Sequence, residues 1–316
     1  DFLRAVLYVG YKFNDWILFN SELEFEHAST GKGRGEVSVE MAYIDFRPYS
    51  EIGLRAGMLL MPMGLINELH EPTTFHGVRR TNVETNVIPS TWRENGVGVF
   101  GDIGPVSYRS YLVSGLQAIK DTTPGVKGFS SSSGLSDGRS SGAKSYAEDL
   151  ACVTRVDYKP VQGVLVGGSF YVGQADQSMI SASVPVSLWE GHLKAEYRGG
   201  NADSINIANS YTNAAKTSVG SRLFGGYVEG AYDILTLTRD AKGYSLSPFV
   251  RYERYDTQAR TPSAFAKNPA NSRVEYTLGV TYKPIPQAAV KADHQWLQNQ
   301  ARTGVNQWNL GLAYIF

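Results

Sequence analysis

Apolar and polar residues alternate along most of this chain, in segments of about ten residues. The last segment is the clearest: Trp308, Leu310, Leu312, Tyr314 and Phe316 share one face, and Gln307, Asn309, Gly311 and Ala313 the other. Upstream, Val274, Tyr276, Leu278, Val280 and Tyr282 oppose Arg273, Glu275, Thr277, Gly279 and Thr281. Leu246, Pro248, Val250 and Tyr252 oppose Ser247, Arg251 and Glu253. Near the start, Leu3, Ala5, Leu7, Val9, Tyr11 and Phe13 oppose Arg4, Tyr8 and Lys12, and Ile17, Phe19, Leu23 and Phe25 oppose Asn20, Glu22, Glu24 and Glu26. A period of two is the repeat of a β-strand with one apolar face.

The polar face decides between a soluble sandwich and a membrane barrel. Charges sit in mid-segment as Arg251-x-Glu253, Arg273-x-Glu275, Lys291-x-Asp293 and Lys194-x-Glu196-x-Arg198. A dry sandwich core would impose a large desolvation cost on them, whereas a wet lumen would not. Tyr11, Trp16, Tyr49, Tyr158, Trp189, Tyr282, Trp296 and Trp308 fall near segment ends, where aromatic girdles meet the two bilayer interfaces. The pattern predicts an all-β, antiparallel transmembrane β-barrel over residues 1–316.

Short turns are expected near Asn14-Asp15, Tyr49-Ser50, Asp102 to Gly104, Pro160 to Gln162, Glu190-Gly191, Asp240 to Lys242 and Pro284 to Pro286. Longer connections are expected over 28–35, 62–94, 116–146, 174–178, 200–219, 256–271 and 299–304. Tight turns on one side and long loops on the other are the asymmetry of outer-membrane barrels. These breaks separate fifteen strands. Single-chain bacterial barrels have an even number, so the expectation is about sixteen, with one strand upstream of Asp1, or else about fourteen. The Ser- and Gly-rich run from Phe129 to Ser145 reads as a flexible external loop.

With an upstream strand counted, residues 62–94 become the third external loop. It is too long for a bare hairpin, and it carries Leu65, Ile66, Leu69, Phe75, Val87, Ile88 and Trp92 beside Arg79, Arg80 and Arg93. An apolar, basic loop at that place is expected to fold into the lumen and narrow it.

Composition removes several classes. Thirty basic side chains balance thirty acidic ones, which argues against nucleic acid as a partner. The single cysteine, Cys152, allows no intrachain disulfide and is expected to be a small apolar strand residue. Mean hydropathy is −0.24, and no apolar run is long enough for a membrane helix. No signal peptide is visible. No Ser-His-acid order stands out, so no catalytic residue is assigned and an enzyme is not expected. His70, His76, Glu68, Glu71 and Glu84 have no metal-ligand spacing, so neither a metal nor a cofactor is expected.

The residues Asn309 to Phe316, with Gly311, Tyr314 and Phe316 in register, look like the C-terminal signal read by the barrel-assembly machinery. The first hundred residues resemble the phosphate-selective porin O and P family. The resemblance rests on Leu3-Arg4-Ala5, Gly10 to Trp16, Glu22 to Glu26, Met41 to Phe46, Leu54 to Gly57, Pro62 to Leu65, Ile88-Pro89 and Gly96 to Gly98. It implies a sixteen-stranded homotrimeric anion channel of the bacterial outer membrane, embedded in lipid and lipopolysaccharide and passing small ions and solutes. The chain departs from the family at Met58, Leu59 and Leu60, which follow the Arg-x-Gly step where a basic residue is usual.

The alternation puts Arg4, Lys12, Arg55, Arg109, Arg155, Lys194, Arg198, Arg251, Arg273 and Lys291 in the lumen, with Glu22, Glu24 and Glu26 among the opposing acids. They could form a field across the pore or simply pair across strands. Arg suits oxyanions through its bidentate fork. The candidate anion constriction is therefore Arg79, Arg80 and Arg93, with Arg55 at the root of the loop. The competing class is a scaffold barrel, such as a sheath around an electron-transfer cytochrome or an adhesion platform, which would need an emptied lumen. A soluble lectin-like β protein is a third reading, and its mark would be solubility without detergent.

Overall fold

In the computed structural model the alternating segments form fifteen strands in a single antiparallel sheet, each paired with its sequence neighbours. The structure describes residues 4–26, 35–118, 128–142, 149–177, 182–197, 200–211, 219–238, 243–263 and 265–315. The strands are β1 (Arg4–Lys12), β2 (Ile17–Glu26), β3 (Glu36–Phe46), β4 (Gly53–Leu60), β5 (Arg93–Ile103), β6 (Val106–Ser114), β7 (Leu150–Tyr158) and β8 (Val164–Gln177). They continue as β9 (Ala182–Tyr197), β10 (Gly200–Tyr211), β11 (Arg222–Tyr232), β12 (Ser245–Arg260), β13 (Ser272–Ile285), β14 (Ala288–Asn299) and β15 (Gln307–Tyr314). A short helix, α1 (Val83–Asn86), lies between β4 and β5.

Side chains sort as a barrel requires. Along β12, Ser247, Phe249, Arg251, Glu253, Tyr255 and Thr257 are buried, while Pro248, Val250 and Arg254 are exposed. On the strands whose side chains are described, the outward set is largely apolar, as lipid demands. Cys152 lies on this outer face of β7, exposed rather than buried. β1 and β15 are the two sheet edges, and no pair joins them among the described residues. Both are odd members of an up-and-down meander and run in the same direction.

Irregularities in pairing place important groups. The register of β2 with β3 slips between Glu22 and Leu23, so β3 carries one extra residue and Glu40 is left inside. Such a bulge re-aims a side chain without ending the strand.

Two expectations about strand boundaries need correction. Glu190-Gly191 is not a turn: both residues lie within β9, where Gly191 pairs with Gly168 and Asn206. A glycine inside a strand gives the same sequence signal as one in a turn. The first half of the expected 200–219 loop is likewise strand β10, paired along its length with β9 and β11. One spurious turn and one missed strand cancel, so the count of fifteen stands.

The interior is not an open aqueous space. The inward residues at the long-loop ends of β4, β6, β7, β8, β9 and β11 are largely apolar and pack on the connecting segments. Leu59, Tyr111, Val113, Val153, Tyr171, Val184, Val186, Leu188 and Leu223 are all buried there. The Phe129–Ser145 run is also corrected: in its described part, 129–142, Phe129 and Leu135 join this apolar cluster. Ser136 donates to the Thr85 carbonyl (2.8 Å), and the Ser131 carbonyl accepts from Thr257 (2.6 Å). Its serines and glycines serve tight turns, with positive φ at Gly134, Ser141 and Gly142, while the two apolar residues anchor it.

Candidate functional site: the segment inside the barrel

The chain between Leu60 and Arg93 leaves the sheet and touches inward residues on strands from β2 to β15. Its neck is closed by Asn67, whose amide donates to the carbonyls of Met61 (2.8 Å) and Trp92 (3.0 Å) and accepts from the Trp92 N–H (2.8 Å). Trp92 is fully buried, tilted against Tyr171 with ring centroids 5.0 Å apart.

At one end the segment meets β2 and β3. His70 Nε2 lies 2.5 Å from Glu40 Oε2 and 3.5 Å from Glu22 Oε1, while its Nδ1 lies 3.0 Å from the Asn67 carbonyl. Burial pulls the His70 pKa down, but the hydrogen bonds to Glu22 and Glu40 outweigh it and raise it to about 9. His70 is therefore an imidazolium clamp at neutral pH. Donor atoms of Glu22, Glu40 and His70 lie within 4.8 Å of one another, close enough to hold a divalent cation. However, Arg93 Nη1 lies 3.9 Å from Glu40, and Arg80 donates to the His70 carbonyl (3.3 Å). With these cations and the direct His70–Glu40 bond, a tether accounts for the cluster.

In the middle, Arg155 donates to the Gly64 carbonyl, and Arg109 pairs with Glu68 (2.8 Å). Glu84 on α1 accepts from the Ile66 N–H (2.8 Å) and from Tyr227 of β11 (2.7 Å). Burial raises the pKa of Glu84.

At the far end, Val83 N–H donates to Glu253 (3.0 Å) and Asn82 to Glu275 (2.5 Å). Arg251 donates to the His76 carbonyl (2.9 Å), and Lys291 to the carbonyls of Phe75 (2.6 Å) and Gly77 (2.8 Å). Val78 N–H donates to Asp293 (2.6 Å). Wall side chains here serve as hydrogen-bond partners for loop backbone that has no sheet to join.

Most of the lumenal charges named from sequence are engaged in this way. Arg4 pairs with Glu24 (2.9 Å), Arg155 with Asp157 (2.8 Å), Arg251 with Glu229 (2.5 Å) and Lys194 with Glu196 (2.8 Å). Arg273 donates to Tyr255 (3.3 Å) and to the Ala270 carbonyl (3.2 Å). Glu26 sits half-buried at the end of β2, opposite Arg4 and Glu36 in register. Arg198 lies outside the described residues, as does Phe316.

Of the four constriction candidates, Arg55 forms a bidentate pair with Asp45 (2.7 and 2.8 Å) and lies over the Tyr43 ring at 4.0 Å. Arg80 is buried and donates to Thr91 (2.8 Å). Arg93 faces Glu40. Arg79 alone among them is exposed. Gly311 faces Val78 of the loop, and Tyr314 points outward and is exposed.

Sequence reasoning missed Asn67, Tyr227 and Asp293 as loop anchors. An isolated Asn or Tyr gives no sequence signal of its partner. It also missed Arg139, which donates to the carbonyls of Ser136 (2.8 Å) and Ser90, and Glu94, which accepts from the Ser140 N–H (3.1 Å). Together these fasten the 128–142 segment to the end of the loop.

No family model matches the chain. Among solved structures, OmpF of Salmonella typhi in complex with daunomycin superposes with a TM-score of 0.66 at 12% identity, over 98% of this chain and 89% of that one. The loop L8 deletion mutant of OmpT, an outer-membrane protein of Vibrio cholerae, gives 0.63 at 12% identity, over 98% and 89%. An anion-selective porin from Comamonas acidovorans gives 0.61 at 10% identity, over 99% and 89%. At such identities the likeness fixes the fold, that of the β-barrels of outer-membrane proteins. The expectation that it is not an enzyme is corrected: its neighbours include OmpT beside the porins, and a fold shared across that set does not exclude catalysis. In sequence, the chain is 36% identical over 312 residues to an "Uncharacterized protein" of Aquifex aeolicus (strain VF5), spanning 93% of this chain and 70% of that protein. The chain belongs to the family of that Aquifex aeolicus protein.

Proposed function

We propose that the chain is a passive-diffusion channel for small hydrophilic solutes, narrowed by its 62–94 loop and preferring anions. The observation that carries this reading is the set of bonds from the loop to inward residues of β3, β7, β12 and β14. A loop held from so many walls narrows the bore by a fixed amount, as a filter must. The same bonds weigh against a sheath, whose lumen would have to admit another protein.

The preference for anions rests on Arg79. Arg55 is paired with Asp45, Arg93 faces Glu40, and Arg80 is buried with its guanidinium on Thr91 and the His70 carbonyl, so none of the three is open to a passing ion. Arg79 is exposed and can offer its fork to a passing oxyanion. Phosphate, as in the porin O and P family, is the oxyanion to try first. Assembly as a homotrimer, with insertion through the barrel-assembly machinery by way of Gly311 and Tyr314, completes the proposal.

The test is the reversal potential of the purified chain in a planar bilayer under a KCl gradient. The reading expects an anion-selective potential that falls toward zero in Arg79→Ala but holds in Arg80→Lys. An unchanged potential in Arg79→Ala removes Arg79 as the selector. Absence of any current removes the channel.

A further inference from the structure

The outer wall of β11, β12 and β13 carries three arginines where a lipid-facing surface should be apolar. Arg222, Arg254 and Arg260 all point outward and are exposed. With Phe224, Asp256 and Ser272 they line a groove of about 400 Å³. Arg222 and Arg260 stand directly opposite each other across the β11–β12 pair. Like charges in that relation repel, so the pair is unfavourable without a counter-charge. None of the three forms an ion pair with a described residue. The one carboxylate in the groove, Asp256, accepts a hydrogen bond from the Gln258 N–H (2.7 Å).

The height of the groove on the wall gives its meaning. The outward apolar residues of β12, Leu246 to Val250, end at Tyr252, whose ring lies 5.3 Å from that of Tyr276 on β13. Tyr rings mark the level where hydrocarbon gives way to headgroups. Arg254 is the next outward residue beyond this pair, toward the long-loop side. In register it faces Gly226 on β11, which has no side chain to fill the space. Phe224 offers an apolar surface beside the cations.

We propose that this groove binds the phosphate groups of a phosphorylated glycolipid in the outer leaflet, with the guanidinium groups on the phosphates and Phe224 against the lipid. Guanidinium forks bind phosphate in a bidentate manner. At the headgroup level two neighbouring phosphates would neutralise Arg222, Arg254 and Arg260 together. A free phosphate ion would answer only the charge and would have no use for Phe224 or for a place at the edge of the apolar band.

The experiment is native mass spectrometry of the whole detergent-solubilised chain with diphosphoryl lipid A, monophosphoryl lipid A or inorganic phosphate. The triple variant Arg222→Ser, Arg254→Ser, Arg260→Ser is compared with the triple Arg→Lys variant. The proposal expects diphosphoryl lipid A to be retained more strongly than the monophosphoryl form, and roughly tenfold or greater loss in the serine variant. It expects substantial retention in the lysine variant, and no displacement by inorganic phosphate. Resistance of the barrel to unfolding in detergent should be equal in all forms. Equal lipid retention in the wild type and the serine variant overturns the proposal. Displacement by inorganic phosphate overturns it in favour of an ion site. Unchanged lipid retention with loss of oligomer in the serine variant overturns it in favour of a protein interface.

Discussion

Val78, at the tip of the inward loop, faces Gly311 on the last strand: a Cβ placed on Gly311 would lie 3.8 Å from the Val78 Cβ. A segment that leaves the wall after β4 thus reaches β15, which it can do only by crossing the lumen. The 3.8 Å separation is also that of a disulfide. The double variant Val78→Cys, Gly311→Cys should therefore cross-link under mild oxidation, read as a mobility shift that reductant reverses. Because the loop already occupies this place, oxidation should leave the current unchanged. Failure to cross-link would move the loop tip away from β15.

Arg251 is nearly fully buried and joins Glu229 and Glu253 to the loop carbonyl of His76. Removing it leaves two carboxylates without their cation. Arg251→Met should cost about 3–5 kcal/mol, the range for breaking a buried pair from one side. Arg254→Met, three residues on but facing outward, should cost well under about 1 kcal/mol. Denaturant unfolding in detergent micelles reads both, and equal losses would contradict the assignment of faces.

Trp92 fills the neck of the loop and is fully buried against Tyr171. Trp92→Ala should destabilise by about 3–5 kcal/mol. It should also loosen the loop, seen as faster amide exchange in 61–92 than in the strands. Uniform exchange in the variant would mean that the loop does not depend on its neck.

The hold of His70 on the 62–94 loop should depend on pH. Its folded pKa is about 9, above the usual 6.5 or so of an unfolded chain. The clamp is therefore at full strength below about pH 6.5 and is lost as pH rises through about 9. Glu22 and Glu40 face the imidazolium, and Arg80 opposes it from the loop side. Conductance should rise as pH passes about 9, and His70→Gln should remove that step. A step that persists in the variant belongs to another group.

Period-two alternation alone located most strands, because one apolar and one polar face is a local property of a strand in lipid. It failed at Glu190-Gly191 and over 200–211, where small and polar residues inside strands carry the same signal as turns. The length and composition of 62–94 marked that segment as unusual, but its hydrogen-bond partners lie up to 216 residues away in sequence, as Lys291 does from Phe75. No local pattern encodes such a contact. Charge types were legible at Arg55, Arg80 and Arg251, yet their engagement by Asp45, Thr91 and Glu229 follows only from register and loop path. That difference separates Arg79 from the other arginines.

The bore is the central quantity, and polymer exclusion measures it. Single-channel currents of the purified chain would be recorded with polyethylene glycols of increasing size. A lumen crossed by the 62–94 loop admits only the smallest polymers, so larger ones should leave the current at its salt-only value. Entry of polymers as large as an unobstructed barrel of this strand number accepts would contradict a loop held across the pore.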